Sequence, residues 1–185
     1  MLSGRRLDLL DPSPLDVEIE DVALGLSRVA RWNGQTLGDH AFSVAQHSVL
    51  VLDLLEERRA SAPRPLLLAA LLHDASEYVT SDLITPFKAA LGPDYRAVEQ
   101  RVQRAVNLRF GLPGELPAEW RRIIKATDRV AAFVEAVELA GFTEPEARRV
   151  LGFRARRPEI RLEAWPAEVA RRFFLARFAE LFRPE

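Results

Sequence analysis

Leu66-Leu67-Leu68-Ala69-Ala70-Leu71-Leu72-His73-Asp74-Ala75-Ser76-Glu77 decides how this chain is read. Pro65 suits the first turn of a helix, and the apolar run makes that helix buried on most sides, reaching about residue 78. His73 and Asp74 end the run. A carboxylate leaving such a helix loses hydration heavily unless a cation or several hydrogen bonds compensate. Glu77 follows His73 by four residues and Asp74 by three, so a continuous helix puts all three on one side. An imidazole and two carboxylates there form a hard, oxygen-rich half-site for Mn²⁺, Mg²⁺, Co²⁺ or Fe²⁺. The competing account is a helix end at which His73 and Asp74 cap the helix or pair with Arg. The helix by itself weighs the two equally.

Outward from this stretch the chain reads as helix after helix. A modest helix covers 21–30, with Val22, Leu26 and Val29 on one face, and Asn33-Gly34 makes a turn. Ser43-Val44-Ala45-Gln46 forms a capping box, Ser oxygen and Gln side chain reciprocally satisfying backbone donors, and opens a helix to about 59. Thr80-Ser81-Asp82 is a polar break, and Thr85-Pro86 starts a short helix that Gly92 closes. An amphipathic helix spans 94–110, a long one 118–140, and a last one 166–182. Thr143-Glu144-Pro145-Glu146 is a second capping box. Only 7–10 and 157–162 look extended, and they could pair as a short two-stranded element. The fold expected is all-α: one compact bundle over 1–185, with its core at about 20–140 and a C-terminal helical extension at about 141–185.

Composition narrows the function. Lys and Arg total 26 against 27 Asp and Glu, a net charge of −1, which argues against stable nucleic-acid binding while leaving room for a local basic patch. With no Cys, thiolate nucleophiles, Cys-ligated zinc, iron–sulfur clusters and disulfides are excluded together. No run approaches the roughly 20 apolar residues that cross a bilayer, and no apolar signal core follows Met1, so a cytoplasmic chain without a membrane partner is expected. His47 lies on a helix apolar nearly all round, with Val44, Val51 and Leu54 on its stripe, where a lone His is ordinarily a satisfied core residue. Asp128 stands in line with Ala131, Glu135 and Glu138 on the long helix; alone, that line reads as a solvated acidic face, and otherwise Asp128 is a fourth ligand from a separate helix. Neither a zincin His-Glu-x-x-His, nor a ferritin-like Glu-x-x-His, nor a P-loop, nor a Gly-x-Ser-x-Gly elbow is present.

Taken in order, His47, His73-Asp74 and Asp128 resemble the His…His-Asp…Asp signature of the HD-domain metal-dependent phosphohydrolases. Ser43-Val44-Ala45-Gln46-His47-Ser48, Leu72-His73-Asp74-Ala75-Ser76-Glu77 and Ser81-Asp82-Leu83-Ile84-Thr85-Pro86-Phe87-Lys88 are similar to blocks of the small bacterial HD-type (deoxy)ribonucleoside 5′-monophosphatases, as is Arg31-Trp32 ahead of the first His. The resemblance covers about 26–140. It implies an HD-type helical fold with one divalent metal ion (Mn, Co, Mg, Fe, Ni or Zn) on His47, His73, Asp74 and Asp128. It implies Arg31 on the phosphate, Trp32 near the sugar where the 2′-hydroxyl is discriminated, Thr85 on substrate, and Glu77 and Asp82 as catalytic groups that orient water and move protons. His40 has no place in the pattern and is read as a loop residue. The partner implied is a nucleotide or another small phosphate ester. The same site suits a nucleoside triphosphate or guanosine polyphosphate, and a non-catalytic nucleotide-binding module is the alternative from another class; Glu77 and Asp82 weigh against it. A homodimer is expected from the resemblance and from Phe173, Phe174, Phe178 and Phe182 on the last helix.

Overall fold

The computed structural model describes residues 1–183, without the side chain of Thr85, and the regular elements among them are all helical. They are α1 (Ile19–Arg28), α2 (Val44–Arg58), α3 (Arg64–Leu71), α4 (Glu77–Thr80), α5 (Thr85–Leu91), α6 (Pro93–Arg109), α7 (Ala118–Glu138), α8 (Glu144–Leu151) and α9 (Ala167–Leu181), with 3₁₀ turns at Pro14–Asp16 and Arg31–Gly34. Helix α2 is the axis, packed on α1, α3, α7 and α9. Val44, Ala45, Val49, Leu52 and Leu55 join one core with α1, α3, α6 and α9. Leu50, Val51 and Leu54 join a second core, with residues of α7 and α8. A helix apolar all round has to lie between two such layers, and this places His47 in the middle of the molecule with no exposed surface. No helix among the described residues is long and apolar enough to cross a membrane.

Four local expectations change. The helix expected to reach residue 78 stops at Leu71, and Glu77 opens a new one. His73 and Asp74 therefore sit on the intervening turn and not on a continuous helical face. The turn is stable because side chains take the backbone groups it frees: His73 Nδ1 donates to Ala70 O (2.8 Å), and Gln103 of α6 donates to Leu72 O (2.8 Å) and accepts from Ser76 N–H (3.0 Å). The Ser43 capping box is only half made. Ser43 accepts from Gln46 N–H (3.2 Å), but the Gln46 amide donates to Glu163 O (2.8 Å) and accepts from Trp165 N–H (2.9 Å), tying the chain before α9 to α2. The Thr143–Glu146 box is complete.

The flanks at 7–10 and 157–162 are not strands and do not pair. Among the described residues the one ladder-like contact is an isolated antiparallel bridge between Ala30 and Ser43, flanked by Arg31 N–H to Phe42 O (2.8 Å). It draws the loop after α1 back onto the start of α2. The aromatics of α9 mostly face inward: Phe174 and Phe178 are core, Phe182 packs on Phe110 and Phe178, and Phe173, 43% exposed, lies on Trp165. The monomer itself uses most of the face expected for a second copy.

Candidate metal centre

Three separate segments bring the expected ligands together: α2 with His47, the turn after α3 with His73 and Asp74, and α7 with Asp128. His47 Nε2 lies 3.3 Å from Asp128 Oδ1 and 3.5 Å from Asp74 Oδ2, and His73 Nε2 lies 3.1 Å from Asp74 Oδ2. The imidazole rings are 5.3 Å apart. His47, His73 and Asp128 each offer a ligand atom, and these atoms lie within 4.8 Å of one another, so the group could hold a metal ion. Asp74 and Asp128 keep 26% and 33% of their side-chain exposure while His47 keeps none, so the cluster is closed behind and open in front.

The hydrogen bonds decide which nitrogen of each ring is available. A backbone carbonyl only accepts, so His73 Nδ1 carries the proton it gives to Ala70 O. His47 Nδ1 meets Glu135 Oε1 at 2.5 Å. Burial raises the Glu135 carboxyl, but Arg31 and His47 outweigh it and pull the group down to about 2, so it accepts the His47 proton. Both Nε2 atoms are buried, neither has a hydrogen-bond partner, and both face carboxylates; on neutral rings they are lone pairs. Acceptor against acceptor is repulsive unless a cation lies between them. A divalent ion fits this donor set, and the proton on each Nδ1 is the arrangement that orients metal-ligating His. Without the ion, a second proton on the rings is the remaining remedy. Burial and Arg31 disfavour it for His47, yet Glu135, Asp128 and Asp74 raise that ring's pKa well above the usual imidazole value. Asp74 is correspondingly held well below the carboxylate range, against its burial, by His73 and His47.

Around the ligands the other expected residues take definite places. Arg31 Nε and Nη2 donate to Glu135 Oε2 (3.2 and 3.1 Å), and Nη1 to Asp82 Oδ2 (3.3 Å). Trp32 Nε1 donates to the same Glu135 oxygen (2.9 Å), and its ring packs 5.9 Å from Phe142. Trp32 and Asn33 have φ of 55° and 53°, the left-handed region that L side chains rarely adopt, so the turn expected at Asn33-Gly34 already starts at Arg31 and is strained. Glu77, 3% exposed, receives a bond from Lys88 Nζ (3.3 Å), and its Oε2 is buried without a partner. Burial, with the charges of Asp74 and Asp82, pushes the Glu77 carboxyl up to about 9, so it carries a proton at neutral pH. His40 is exposed in its loop, and the Thr85 side chain lies outside the described residues.

Glu135 is the residue sequence reasoning passed over. It was expected on a solvated acidic face, yet it is fully buried and gathers His47, Arg31 and Trp32 around one carboxylate. The available signal was its place two turns from Asp128 on one helical line.

Residues 24–146 match the YfbR-like 5′-deoxynucleotidase family. An uncharacterized protein of Rhodobacter capsulatus is 59% identical over 152 residues, 82% of this chain and 78% of that protein. The uncharacterized protein YfdR of Escherichia coli is 34% identical over 117 residues, 62% of this chain and 60% of its own. The 4′-phosphooxetanocin A phosphatase of Priestia megaterium is 27% identical over 135 residues, 63% of this chain and 70% of the phosphatase.

Proposed function

The chain belongs to the YfbR-like 5′-deoxynucleotidase family of HD-domain phosphohydrolases, and from that premise we propose that it hydrolyses deoxynucleoside 5′-monophosphates with one divalent cation on His47, His73, Asp74 and Asp128. The observation that carries this is the pair of buried Nε2 atoms, of His47 and His73, that face the carboxylates of Asp74 and Asp128 without a hydrogen bond.

When bound, such a cation lowers the pKa of coordinated water and withdraws charge from a phosphoryl group. The protein's own groups supply the rest. Arg31 commits three of its five N–H donors to Glu135 and Asp82, leaving two for phosphate oxygens. Glu77, whose burial favours the protonated carboxyl, gives its proton to the departing 5′ oxygen, while Asp82 accepts one from the attacking water. Trp32, its indole N–H fixed on Glu135, presents a rigid ring to the sugar and disfavours a 2′-hydroxyl by a modest steric margin. Thr85 takes a substrate contact in this scheme, as the family pattern implies.

The test is phosphate release by chelator-treated protein given dAMP, AMP or dATP with Mn²⁺, Co²⁺, Mg²⁺, Fe²⁺, Ni²⁺ or Zn²⁺. Metal-dependent release from dAMP, faster than from AMP, is expected, with Trp32→Ala narrowing the gap. No metal-dependent release, or pyrophosphate or tripolyphosphate from dATP, would overturn the proposal.

A further inference from the structure

Formal charge almost balances over the whole chain, yet the cations near the ligand cluster are unevenly placed. A cleft of about 980 Å³ opens beside His73, Asp74 and Asp128, between α6 and α7. It lies at the upper end of the range for small-molecule sites, roughly 300–1,000 Å³. Arg101 and Arg104 line it from α6, and Arg121 and Lys125 from α7; away from the ligand cluster the lining includes a single carboxylate, Glu115. All four cations are exposed, and among the described residues none forms an ion pair. Other basic side chains do pair: Arg31, Arg109, Arg148, Arg157 and Arg177 all meet carboxylates. Helix physics does not favour the arrangement. Arg121 and Lys125 repel as an i, i+4 pair, and Arg121 stands in the first turn of α7, where a cation opposes the helix dipole. Arg31 and Trp32 do not line this cleft, so its cations form a basic wall beside the ligands that is separate from Arg31.

Spacing indicates what these cations meet. Lys125 is three residues from Asp128 and Arg121 seven, about 5 and 10 Å along the helix axis. A phosphate bonded directly to the scissile one would lie at the ligand cluster itself. A phosphate one sugar away reaches the row of cations. Resting on the phosphohydrolase reading above, we propose that this cleft binds a second phosphate of the substrate, carried on the 3′ oxygen, so that the preferred substrates are deoxynucleoside 3′,5′-bisphosphates. Water then breaks the bond between phosphorus and the 5′ oxygen. The 5′ oxygen leaves as a hydroxyl, inorganic phosphate is released, and the product keeps its 3′ phosphate in the cleft.

The test compares dAMP, deoxyadenosine 3′,5′-bisphosphate and dADP on the metal-loaded protein and on two variants, Arg121→Gln/Lys125→Gln and Arg101→Gln/Arg104→Gln. For the wild type a KM about tenfold lower for the bisphosphate than for dAMP is expected, the scale of one charge-assisted contact. Each variant should raise the bisphosphate KM several-fold and leave dAMP kinetics unchanged, which also reports that the fold is intact. Equal KM values in the wild type, or equal effects of the variants on both substrates, would overturn the inference. An equal gain with dADP would overturn the placement one sugar away. Calorimetry with deoxyadenosine 3′-monophosphate, which has no 5′ phosphate, reads the cleft without turnover. If no nucleotide is hydrolysed, the phosphohydrolase reading fails, and this measurement alone judges the cleft. Binding that the variants lose supports it, and absence of binding refutes it.

Discussion

Replacing Glu135 should damage stability and metal binding together, although Glu135 is not a ligand. Its carboxylate is fully buried, and His47 Nδ1, the Arg31 guanidinium and Trp32 Nε1 all donate to it. Glu135→Ala leaves a buried guanidinium with only Asp82 for an ion-pair partner and strands the His47 and Trp32 donors. Breaking a buried charge pair in this way costs about 3–5 kcal/mol. The carboxyl pKa gives an independent scale: its fall from the ordinary 4.5 to about 2 corresponds to about 3 kcal/mol. The sign follows from the direction of that fall. In metal-free protein this contribution is fully present above the unfolded-state value of 4.5 and disappears as pH drops towards 2. Glu135→Gln keeps the volume and one acceptor oxygen, so it should lose less, about 2 kcal/mol. Urea denaturation in chelator at pH 7 and at pH 3 measures this, and the difference between wild type and Glu135→Ala should shrink at the lower pH. Calorimetric titration with Mn²⁺ should show affinity reduced about 10–100-fold, because the His47 ring loses the group that orients it. A loss below about 1 kcal/mol with unchanged metal affinity would refute the idea that Glu135 holds the site together.

Asp74→Ala should abolish stoichiometric metal in the purified protein, measured by atomic emission, and phosphate release with it, because Asp74 Oδ2 lies within 3.5 Å of both Nε2 atoms. Glu77→Gln should retain most metal affinity while turnover falls by about 10² to 10⁴, the range for a lost proton-transfer group; metal loss equal to that of Asp74→Ala would make Glu77 a ligand. Gly25→Ala should destabilise the fold by about 1–3 kcal/mol in thermal or urea unfolding, since a Cβ there would fall 2.7 Å from Tyr78 Cβ and 2.8 Å from Tyr78 O. A neutral Gly25→Ala would show that α1 and α4 move apart freely.

What was legible in the sequence was local. Apolar runs at helical spacing, Pro in first turns and Gly after last turns announce an all-α chain, because those signals act over one or two turns. His47, His73, Asp74 and Asp128 stood out because polar side chains in apolar helices are costly unless something meets them. Tertiary structure decided the rest. The break after Leu71 carries no Gly or Pro; it exists because Gln103, some thirty residues on, takes the backbone groups the break exposes. Gln46 fits a local capping box by pattern, yet the chain at Glu163 and Trp165 captures its amide. Glu135 and Asp128 share one helical line and differ in what lies opposite. Arg31, Trp32 and His47 close over Glu135, whereas Asp128 faces the open cleft. Helical periodicity tells which residues share a face; only packing determines whether that face meets water, a cation or another side chain.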